Sequence, residues 1–262
     1  VGSGKTIVAA LAALQAIENG FQAALMAPTE ILAEQHFQKL SAWFDPLGIQ
    51  VVWLSGSQKK KQKQAALDDI ALGTAQLAVG THALFQDQVV FHQLGLAIID
   101  EQHRFGVHQR LALRMKGALS NTVPHQLMMS ATPIPRTLSM SYFADLDVSV
   151  IDELPQGRAP IVTKLIADNR RDEIIARIQQ ACQQGKQVYW VCPLIEESET
   201  LQLQTAMETY ESLSRIFPDL SVGLVHGRLP TQEKTEVMAS FKQGEIQLLV
   251  ATTVIEVGVD VP

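Results

Sequence analysis

The sequence has few of the features that mark secreted or membrane proteins. Its 262 residues contain only two cysteines, Cys182 and Cys192, and their spacing matches no metal site. No apolar signal segment opens the chain, and no apolar run approaches the roughly 20 residues that span a bilayer. We therefore expect a cytoplasmic protein with reduced, buried thiols and no membrane partner.

An excess of positive charge is also absent. Lys and Arg total 21 against 27 Asp and Glu, which gives a formal net charge of −6. This balance argues against a protein whose whole surface binds nucleic acid by charge, although loop amides and hydroxyls can still contact a nucleic-acid backbone. The hydrophobic content of 47% indicates a globular protein with a core.

The chain has no initiating methionine, and it opens inside a motif. Val-Gly-Ser-Gly-Lys-Thr matches the end of the phosphate-loop pattern G-x-x-x-x-G-K-[ST], whose first glycine would lie two residues before Val1. We therefore expect a piece of a longer protein. Small residues let backbone N–H groups surround a phosphate, Lys5 would reach the β- and γ-phosphates, and the Thr6 hydroxyl would bind Mg²⁺. The alternative is a loop that only caps a helix, but the helix-forming residues 7–19, ended by Gly20, favour the phosphate loop.

Short apolar runs alternate with amphipathic stretches along the chain. Runs of this type that predict strands in the first half are 21–27, 51–54, 77–79, 96–99 and 126–129. Continuously apolar strands between helices indicate a parallel sheet covered on both faces. Ligands of such sheets bind at the carboxyl ends of the strands.

The pattern changes at 145–160, where acidic residues alternate with apolar ones and Pro155, Gly157 and Pro160 follow. We predict a first domain over 1–150, a linker over 151–165 and a second domain over 166–262. The second domain repeats the alternation, with helices predicted at 171–184, 199–217 and 231–242 and strands at 186–191, 222–225 and 246–250. The fold class is α/β, and we expect the second sheet to be incomplete because the chain ends just after a strand.

Two carboxylates stand at the end of the predicted strand 96–99. In a nucleotide-hydrolysing site, the first, Asp100, would hold Mg²⁺, and the second, Glu101, would orient and deprotonate the attacking water. A strand that merely ends in an acidic loop is the ordinary alternative. The phosphate loop upstream in the same predicted sheet makes an ATPase the better interpretation.

Asp100-Glu101-Gln102-His103 resembles the D-E-x-H box of superfamily-two helicases and translocases. Further segments that resemble family motifs, in the family's order, are Ala-Pro-Thr-Glu at 27–30, Gly-Thr-His at 80–82, Ser-Ala-Thr-Pro at 130–133, Val-His-Gly at 225–227 and the segment 251–260. The resemblance implies two tandem RecA-like P-loop NTPase lobes with parallel sheets, the second incomplete, and ATP bound between them.

The same resemblance implies a role for each matching residue. The implied catalytic residues are Lys5, Asp100, Glu101 and Gln102. The implied nucleotide-binding residues are Gly2, Ser3, Gly4, Lys5, Thr6, Gly258 and Asp260, with Thr6 and Asp100 binding Mg²⁺. The implied coupling residues are His103, Ser130, Ala131 and Thr132. The implied DNA contacts are Pro28, Thr29, Glu30, Gly80, Thr81, His82, Thr252 and Thr253. Each of these residues also has an ordinary alternative as a loop hydroxyl, a cap or a hydrogen-bonded polar side chain.

Within the superfamily, segments 104–110, 130–137 and 189–198 resemble the bacterial branch-migration helicases. The transcription-repair coupling translocases are the alternative; they share Arg-Phe-Gly-Val but typically differ at the position of Gln102. A third hypothesis, a small-molecule P-loop kinase or a non-catalytic nucleotide-binding module, predicts one sheet, and the second helix–strand array counts against it.

The resemblance implies ATP and Mg²⁺ as cofactors and branched, single-stranded or double-stranded DNA as the partner. It further implies a monomer in the bacterial cytoplasm, associated with the nucleoid and active in recombination and repair. The family's arginine finger lies beyond 251–260, its wedge domain is not in this sequence, and Arg228 does not stand in the arginine-finger context. We therefore expect the chain alone to bind ATP–Mg²⁺ weakly and to show DNA-stimulated hydrolysis near background.

Overall fold

The computed structural model of the protein describes residues 3–56, 58–101, 123–131, 147–153, 161–192 and 199–252. The chain divides into two units, Val1–Arg158 and Ala159–Pro262, and each unit has a sheet of its own. The division falls within the stretch that we expect to be a linker, and the ends of that linker stay a prediction.

Helices and strands alternate through the first unit. Its helices are α1 (Lys5–Glu18), α2 (Glu30–Phe44) and α3 (Lys60–Leu72), and its strands are β1 (Gln22–Met26), β2 (Val51–Leu54), β3 (Leu77–Gly80), β4 (Leu94–Ile99) and β5 (His125–Met128). The five strands are parallel and lie in the order β2-β3-β1-β4-β5. The predicted parallel α/β sheet is confirmed.

The central strand β1 explains why the strands are continuously apolar. Ala23 and Leu25 pack with residues of α1 and α2 on one face of the sheet. Ala24 and Met26 pack with residues of α3 on the other face. Because successive side chains of a strand point to opposite faces, a sheet with helices on both sides needs apolar residues at every position.

The helix ends follow local sequence signals. The Thr29 hydroxyl caps α2 by accepting the backbone N–H of Leu32 at 3.3 Å. After α1, Gly20 adopts φ 83° and donates its N–H to the Ile17 carbonyl at 2.9 Å. Glycine adopts this left-handed conformation without steric cost, so the predicted end of α1 at Gly20 is confirmed.

The second unit repeats the design, with three strands in its described residues against five in the first unit. Its elements are α4 (Arg171–Gln183), β6 (Val188–Val191), α5 (Glu199–Ile216), β7 (Val222–Val225), α6 (Thr231–Lys242) and β8 (Leu248–Ala251). The three strands are parallel in the order β6-β8-β7. Residues of α4 and α5 cover one face of this sheet and residues of α6 cover the other.

Two strands of the second unit start later than the sequence predicts. The N–H of Lys186 donates to the Ala181 carbonyl at 3.0 Å, and the N–H of Ile246 donates to the Ser240 carbonyl at 3.3 Å. These amides close the turns that end α4 and α6, so they cannot also pair with a neighbouring strand. In the part of the chain that the structure describes, no helix is both long and apolar enough to cross a membrane.

Candidate active site

The predicted site residues of the first unit lie along one edge of its sheet. Segments 27–30, 81–82, 100–101 and 129–131 directly follow β1, β3, β4 and β5. The strands are parallel, so these segments share the edge formed by the carboxyl ends. Helix α1 packs against β1 and joins it through residues 19–21, so it runs antiparallel to the strand. Its N-terminal residues therefore lie at the same edge.

The described part of the predicted phosphate loop leads directly into the N-terminus of α1. Gly4 caps α1 in the left-handed region, with φ 90° and ψ 9°. Its carbonyl accepts the N–H of Ile7 at 3.1 Å. The first turn of α1 has no acidic side chain, so none opposes an anion at the positive end of the helix dipole. Lys5 and Thr6 occupy this first turn, and Gly2 lies outside the described residues.

Asp100 is held by a hydrogen bond on each carboxylate oxygen. Its Oδ1 accepts the backbone N–H of Glu101 at 3.0 Å, and its Oδ2 lies 2.8 Å from Nε2 of His36. The Asp100 N–H donates to the Met26 carbonyl at 2.8 Å and so extends the β1–β4 pairing by one residue. The side chain is buried, and each oxygen retains a second lone pair that can face a cation.

His36 is a site residue that sequence reasoning missed. It lies on α2, 64 residues before Asp100 in the chain. The other buried residues of α2 are all apolar: Leu32, Ala33, Leu40 and Phe44. A single histidine within an apolar helical stripe was the available signal, because a buried polar group requires a partner.

Glu101 links the loops that follow β4 and β5. It is the one non-glycine residue of the described ranges with a positive φ, at 49°, and it is 4% exposed. Its Oε2 accepts the N–H of Ala131 at 3.3 Å. Backbone strain of this kind clusters at functional sites. The sequence predicts that His103 contacts the 130–132 loop, but Gln102, His103 and Thr132 lie outside the described residues.

The two predicted DNA-contacting loops of the first unit are bonded to each other and to their surroundings. The N–H of Ala27 donates to the Gly80 carbonyl at 3.0 Å. The Ser55 hydroxyl, which follows β2, donates to Oε1 of Glu30 at 2.5 Å. A Cβ at Gly80 would overlap the carbonyl oxygen of Leu54, so only glycine fits this strand end without displacement.

Neighbouring residues of the predicted DNA-contacting loop 80–82 differ in their exposure to solvent. Thr81 is 2% exposed, and within the described part of the chain its hydroxyl has no hydrogen-bond partner. That hydroxyl is not presented to a phosphate in this arrangement. The adjacent His82 is exposed, as are parts of Pro28 and Thr29 in the first loop.

The second unit also brings its predicted loops together. The N–H of Thr252 donates to the Val225 carbonyl at 3.2 Å, so the loops after β7 and β8 adjoin. Burial lowers the pKa of His226, and the nearby charges of Lys234 and Arg228 lower it further, which favours the neutral imidazole. Thr253, Gly258 and Asp260 lie outside the described residues.

A cavity of about 530 Å³ lies away from these loops. It is lined by Ala12, Gln15, Ala16, Asn19, Phe21, Gly95, Leu96, Val123 and His125. Most of these residues belong to the C-terminal half of α1 or to the beginnings of strands, at the edge opposite the predicted site. None of the predicted site residues lines it.

Comparison with protein families identifies the first unit. A model described as DEAD/DEAH box helicase matches residues 1–141, more than half of the chain. The chain belongs to the DEAD/DEAH box helicase family. A second model, described as helicase conserved C-terminal domain, matches residues 170–262. The predicted membership of the helicase superfamily is confirmed.

Curated helicases are similar to the whole chain. It is 64% identical over 263 aligned residues to the ATP-dependent DNA helicase RecG of Escherichia coli K12, and 61% identical to that of Haemophilus influenzae. The protein of Aquifex aeolicus is 50% identical. All of this chain aligns in each case, but it spans 38% of the first two relatives and 33% of the third. The predicted similarity to branch-migration helicases is confirmed.

Solved structures show the same fold. A RecG bound to a three-way DNA junction matches with a TM-score of 0.75 and 43% identity, over 100% of this chain and 33% of that one. A single-substitution variant of Saccharomyces cerevisiae Dbp5, bound to RNA and ADP BeF3, matches with a TM-score of 0.72 over 100% of this chain and 66% of that one. At 18% identity, the second match shows the fold alone. Two tandem RecA-like helicase domains are therefore confirmed.

Proposed function

We propose that this chain forms the ATP-hydrolysing motor of a DNA helicase or translocase that remodels branched DNA in recombination and repair. The observation that carries the proposal is the pair Asp100 and Glu101, whose two carboxylates are each held by defined partners at the end of β4. The 64% identity to the RecG helicase of Escherichia coli K12 supports the choice of substrate.

The residues present fit a magnesium nucleotide. The described residues contain no group of three or more His, Cys, Asp or Glu side chains that could hold a metal ion. Asp100 and Thr6 suit Mg²⁺ nevertheless, because this ion usually takes one or two protein ligands and completes its shell with phosphate oxygens and water. When bound, Mg²⁺ supplies charge neutralisation at the β- and γ-phosphates.

The chain's own groups then have distinct tasks in hydrolysis. The backbone at Ser3 and Gly4 and the ammonium of Lys5 bind the phosphates at the start of α1. Glu101 orients the attacking water and accepts its proton, with its carboxylate fixed by Ala131. Because Glu101 contacts the loop after β5, a change at the γ-phosphate is passed to residues 130–132.

DNA is bound through its backbone by the loops at the sheet edge. Residues 28–30 and 80–82 lie at the same edge as the carboxylates, and hydroxyl and N–H groups bind phosphates without reading sequence. The Thr81 hydroxyl is buried in this arrangement, so it is not one of the groups that contact the phosphates. In the second unit, we assign DNA contacts to Thr252 and Thr253 and nucleotide contacts to Gly258 and Asp260, on the resemblance of 251–260 to the family motif alone. We expect a monomer in the bacterial cytoplasm, associated with the nucleoid.

The test is steady-state ATP hydrolysis by the full-length protein, with and without forked DNA. We expect DNA to stimulate the wild type and expect Glu101→Gln to lower turnover by at least about 100-fold, the lower range of general-base contributions. Lys5→Ala should also abolish turnover, and both variants should still bind DNA. Glu18→Gln, an exposed carboxylate at the far end of α1, is the control and should hydrolyse normally. Wild-type turnover by Glu101→Gln would refute the assignment of the base.

A further inference from the structure

A buried contact between α2 and the end of β4 holds one oxygen of the Asp100 carboxylate, and the function proposed so far gives its histidine no role. Nε2 of His36 lies 2.8 Å from Oδ2 of Asp100, and the two residues are 9% and 7% exposed. We propose that His36 is a positioning residue that fixes the orientation of the Asp100 carboxylate toward Mg²⁺. This role rests on the proposed function, because it assigns Asp100 to the cation.

Among the described residues, the hydrogen bond to His36 is the part of the Asp100 environment that depends on a side chain. Oδ1 is held by the backbone N–H of Glu101, which any residue at position 101 other than proline would supply. Oδ2 is held by an imidazole, so a substitution of His36 by a residue without a side-chain donor removes this bond. For the bond to form with an ionised carboxylate, Nε2 carries the proton and donates it.

The packing of α2 sets the position of His36 independently of its bond to Asp100. Helix α2 is capped by Thr29, and its buried face packs against the sheet through residues that include Leu40 and Phe44. The His36 backbone therefore has one position relative to β4. Bonds to ionised groups are short and strong, and they are stronger still in a buried site than in water.

Loss of the His36 donor would free the carboxylate to rotate. The terminal torsion of aspartate is broad, so one remaining hydrogen bond leaves the plane of the group less defined. Mg²⁺ requires near-octahedral geometry and is sensitive to the direction of each ligand. Removal of the partners that orient metal ligands typically weakens metal binding about 10- to 100-fold.

If His36 only filled space and made a hydrogen bond in the core, its substitution would have a different effect. Its removal would lower the stability of the first unit without changing how nucleotide binding depends on Mg²⁺. Leu40, one turn further along α2 and 1% exposed, provides the matched control because Leu40→Ala removes buried contacts on the same helix face. The measurement must therefore report the magnesium dependence and not only activity.

The experiment titrates the full-length protein with a fluorescent ADP analogue, in Mg²⁺ and in EDTA, and takes the ratio of the two dissociation constants. We expect His36→Ala to lower this magnesium-dependent gain about tenfold while the affinity in EDTA stays unchanged. His36→Gln retains an N–H donor and should recover part of the gain. Leu40→Ala should keep the wild-type gain even though its unfolding temperature falls.

Thermal unfolding identifies the variants that fold. If His36→Ala does not fold, His36→Phe replaces it, because phenylalanine keeps a ring but lacks the donor. An unchanged gain in a folded variant without the donor would overturn the positioning role alone. An equal loss of gain in Leu40→Ala would also overturn it, because the effect would then follow from stability. A wild type whose nucleotide affinity does not depend on Mg²⁺ would overturn both this role and the proposed function.

Discussion

Asp100 and Glu101 are neighbours in the chain but occupy different local structures. Asp100 continues the parallel pairing of β4 through its N–H bond to Met26. Glu101 leaves the strand through a left-handed turn, and its carboxylate meets the N–H of Ala131. Because the backbone changes direction at Glu101, the two neighbouring carboxylates point to different places. The Asp100 carboxylate is suited to a cation, and the Glu101 carboxylate is suited to a water molecule and to the loop after β5.

Gly80 is predicted to be required for packing as well as for the DNA-contacting loop. A Cβ at this position would overlap the Leu54 carbonyl oxygen, so Gly80→Ala must push β2 and β3 apart. We expect it to lower the free energy of unfolding by about 1–3 kcal/mol, measured by chemical denaturation.

The matched control for that prediction is Gly56→Ala. A Cβ at Gly56 would meet no atom of the described part of the chain within 4 Å, its chain neighbours apart. We expect the free energy of unfolding to change by less than about 1 kcal/mol. Equal destabilisation by the two substitutions would show that the contact with Leu54 is not the cause.

Among the elements, α2 has an unusual number of links to the predicted site. Its first turn adjoins the first DNA-contacting loop, where Thr29 caps the helix and Glu30 accepts the Ser55 hydroxyl. Two turns later, His36 meets Asp100. A single helix therefore touches both a predicted DNA contact and a predicted Mg²⁺ ligand.

Helix α2 also contains a destabilising charge. Burial raises the pKa of Glu34, and the charge of Glu30, four residues earlier, raises it further. A carboxyl group with a raised pKa is more protonated in the folded than in the unfolded state, so stability is lost as the pH rises through that pKa. Glu34→Gln should therefore raise the unfolding temperature at pH 7, and like-charge pairs at this spacing cost about 0.2–0.5 kcal/mol.

The pH dependence of the increase in unfolding temperature shows whether the charge of Glu34 causes it. Below the ordinary carboxyl pKa of 4.5, Glu34 is protonated in both states, and the advantage of Gln should disappear. Thermal unfolding of both proteins across pH 4–7 measures this. An equal gain at both ends of the range would indicate a packing effect rather than charge.

Local sequence patterns predict most of the elements. The ends of β2, β7 and α6 agree with the predicted ranges 51–54, 222–225 and 231–242 because turn residues bound each apolar or amphipathic run. The predicted starts of β6 and β8 were wrong by two residues, because the amides of Lys186 and Ile246 close the preceding helix turns. The pattern of apolar residues does not show whether a backbone amide bonds to the preceding helix or to a neighbouring strand.

The contacts within the site were less predictable than its members. Asp100 and Glu101 stand out as carboxylates after an apolar strand, but their partners are set by tertiary packing. His36 reaches Asp100 across 64 residues, and Ala131 contacts Glu101 through a backbone N–H, which every residue type except proline has. No local pattern distinguishes either partner.

At the scale of the whole molecule, the two units share one design but have separate cores. In the first unit, α1 and α2 cover one face of a five-stranded sheet and α3 covers the other. In the second, α4 and α5 cover one face of a three-stranded sheet and α6 covers the other. Each core is built from residues of its own unit.

Separate cores predict separate responses to core substitutions. Phe241 is fully buried between α6 and the sheet of the second unit, and Phe241→Ala should cost that unit about 3–5 kcal/mol. Differential scanning calorimetry should show one unfolding transition lowered and the other unchanged. Leu25→Ala, in the core of the first unit, should lower the other transition. Equal shifts of both transitions by either substitution would contradict separate cores.

In the proposed function, the carboxylate pair at the end of β4 drives remodelling of branched DNA. Strand displacement from a synthetic three-way junction, measured with the full-length protein and its Glu101→Gln variant, is the decisive test of this role. We expect ATP-dependent displacement by the wild type and none by Glu101→Gln, which should still bind the junction. Displacement by Glu101→Gln at the wild-type rate, or a wild type that hydrolyses ATP without displacing a strand, would contradict it.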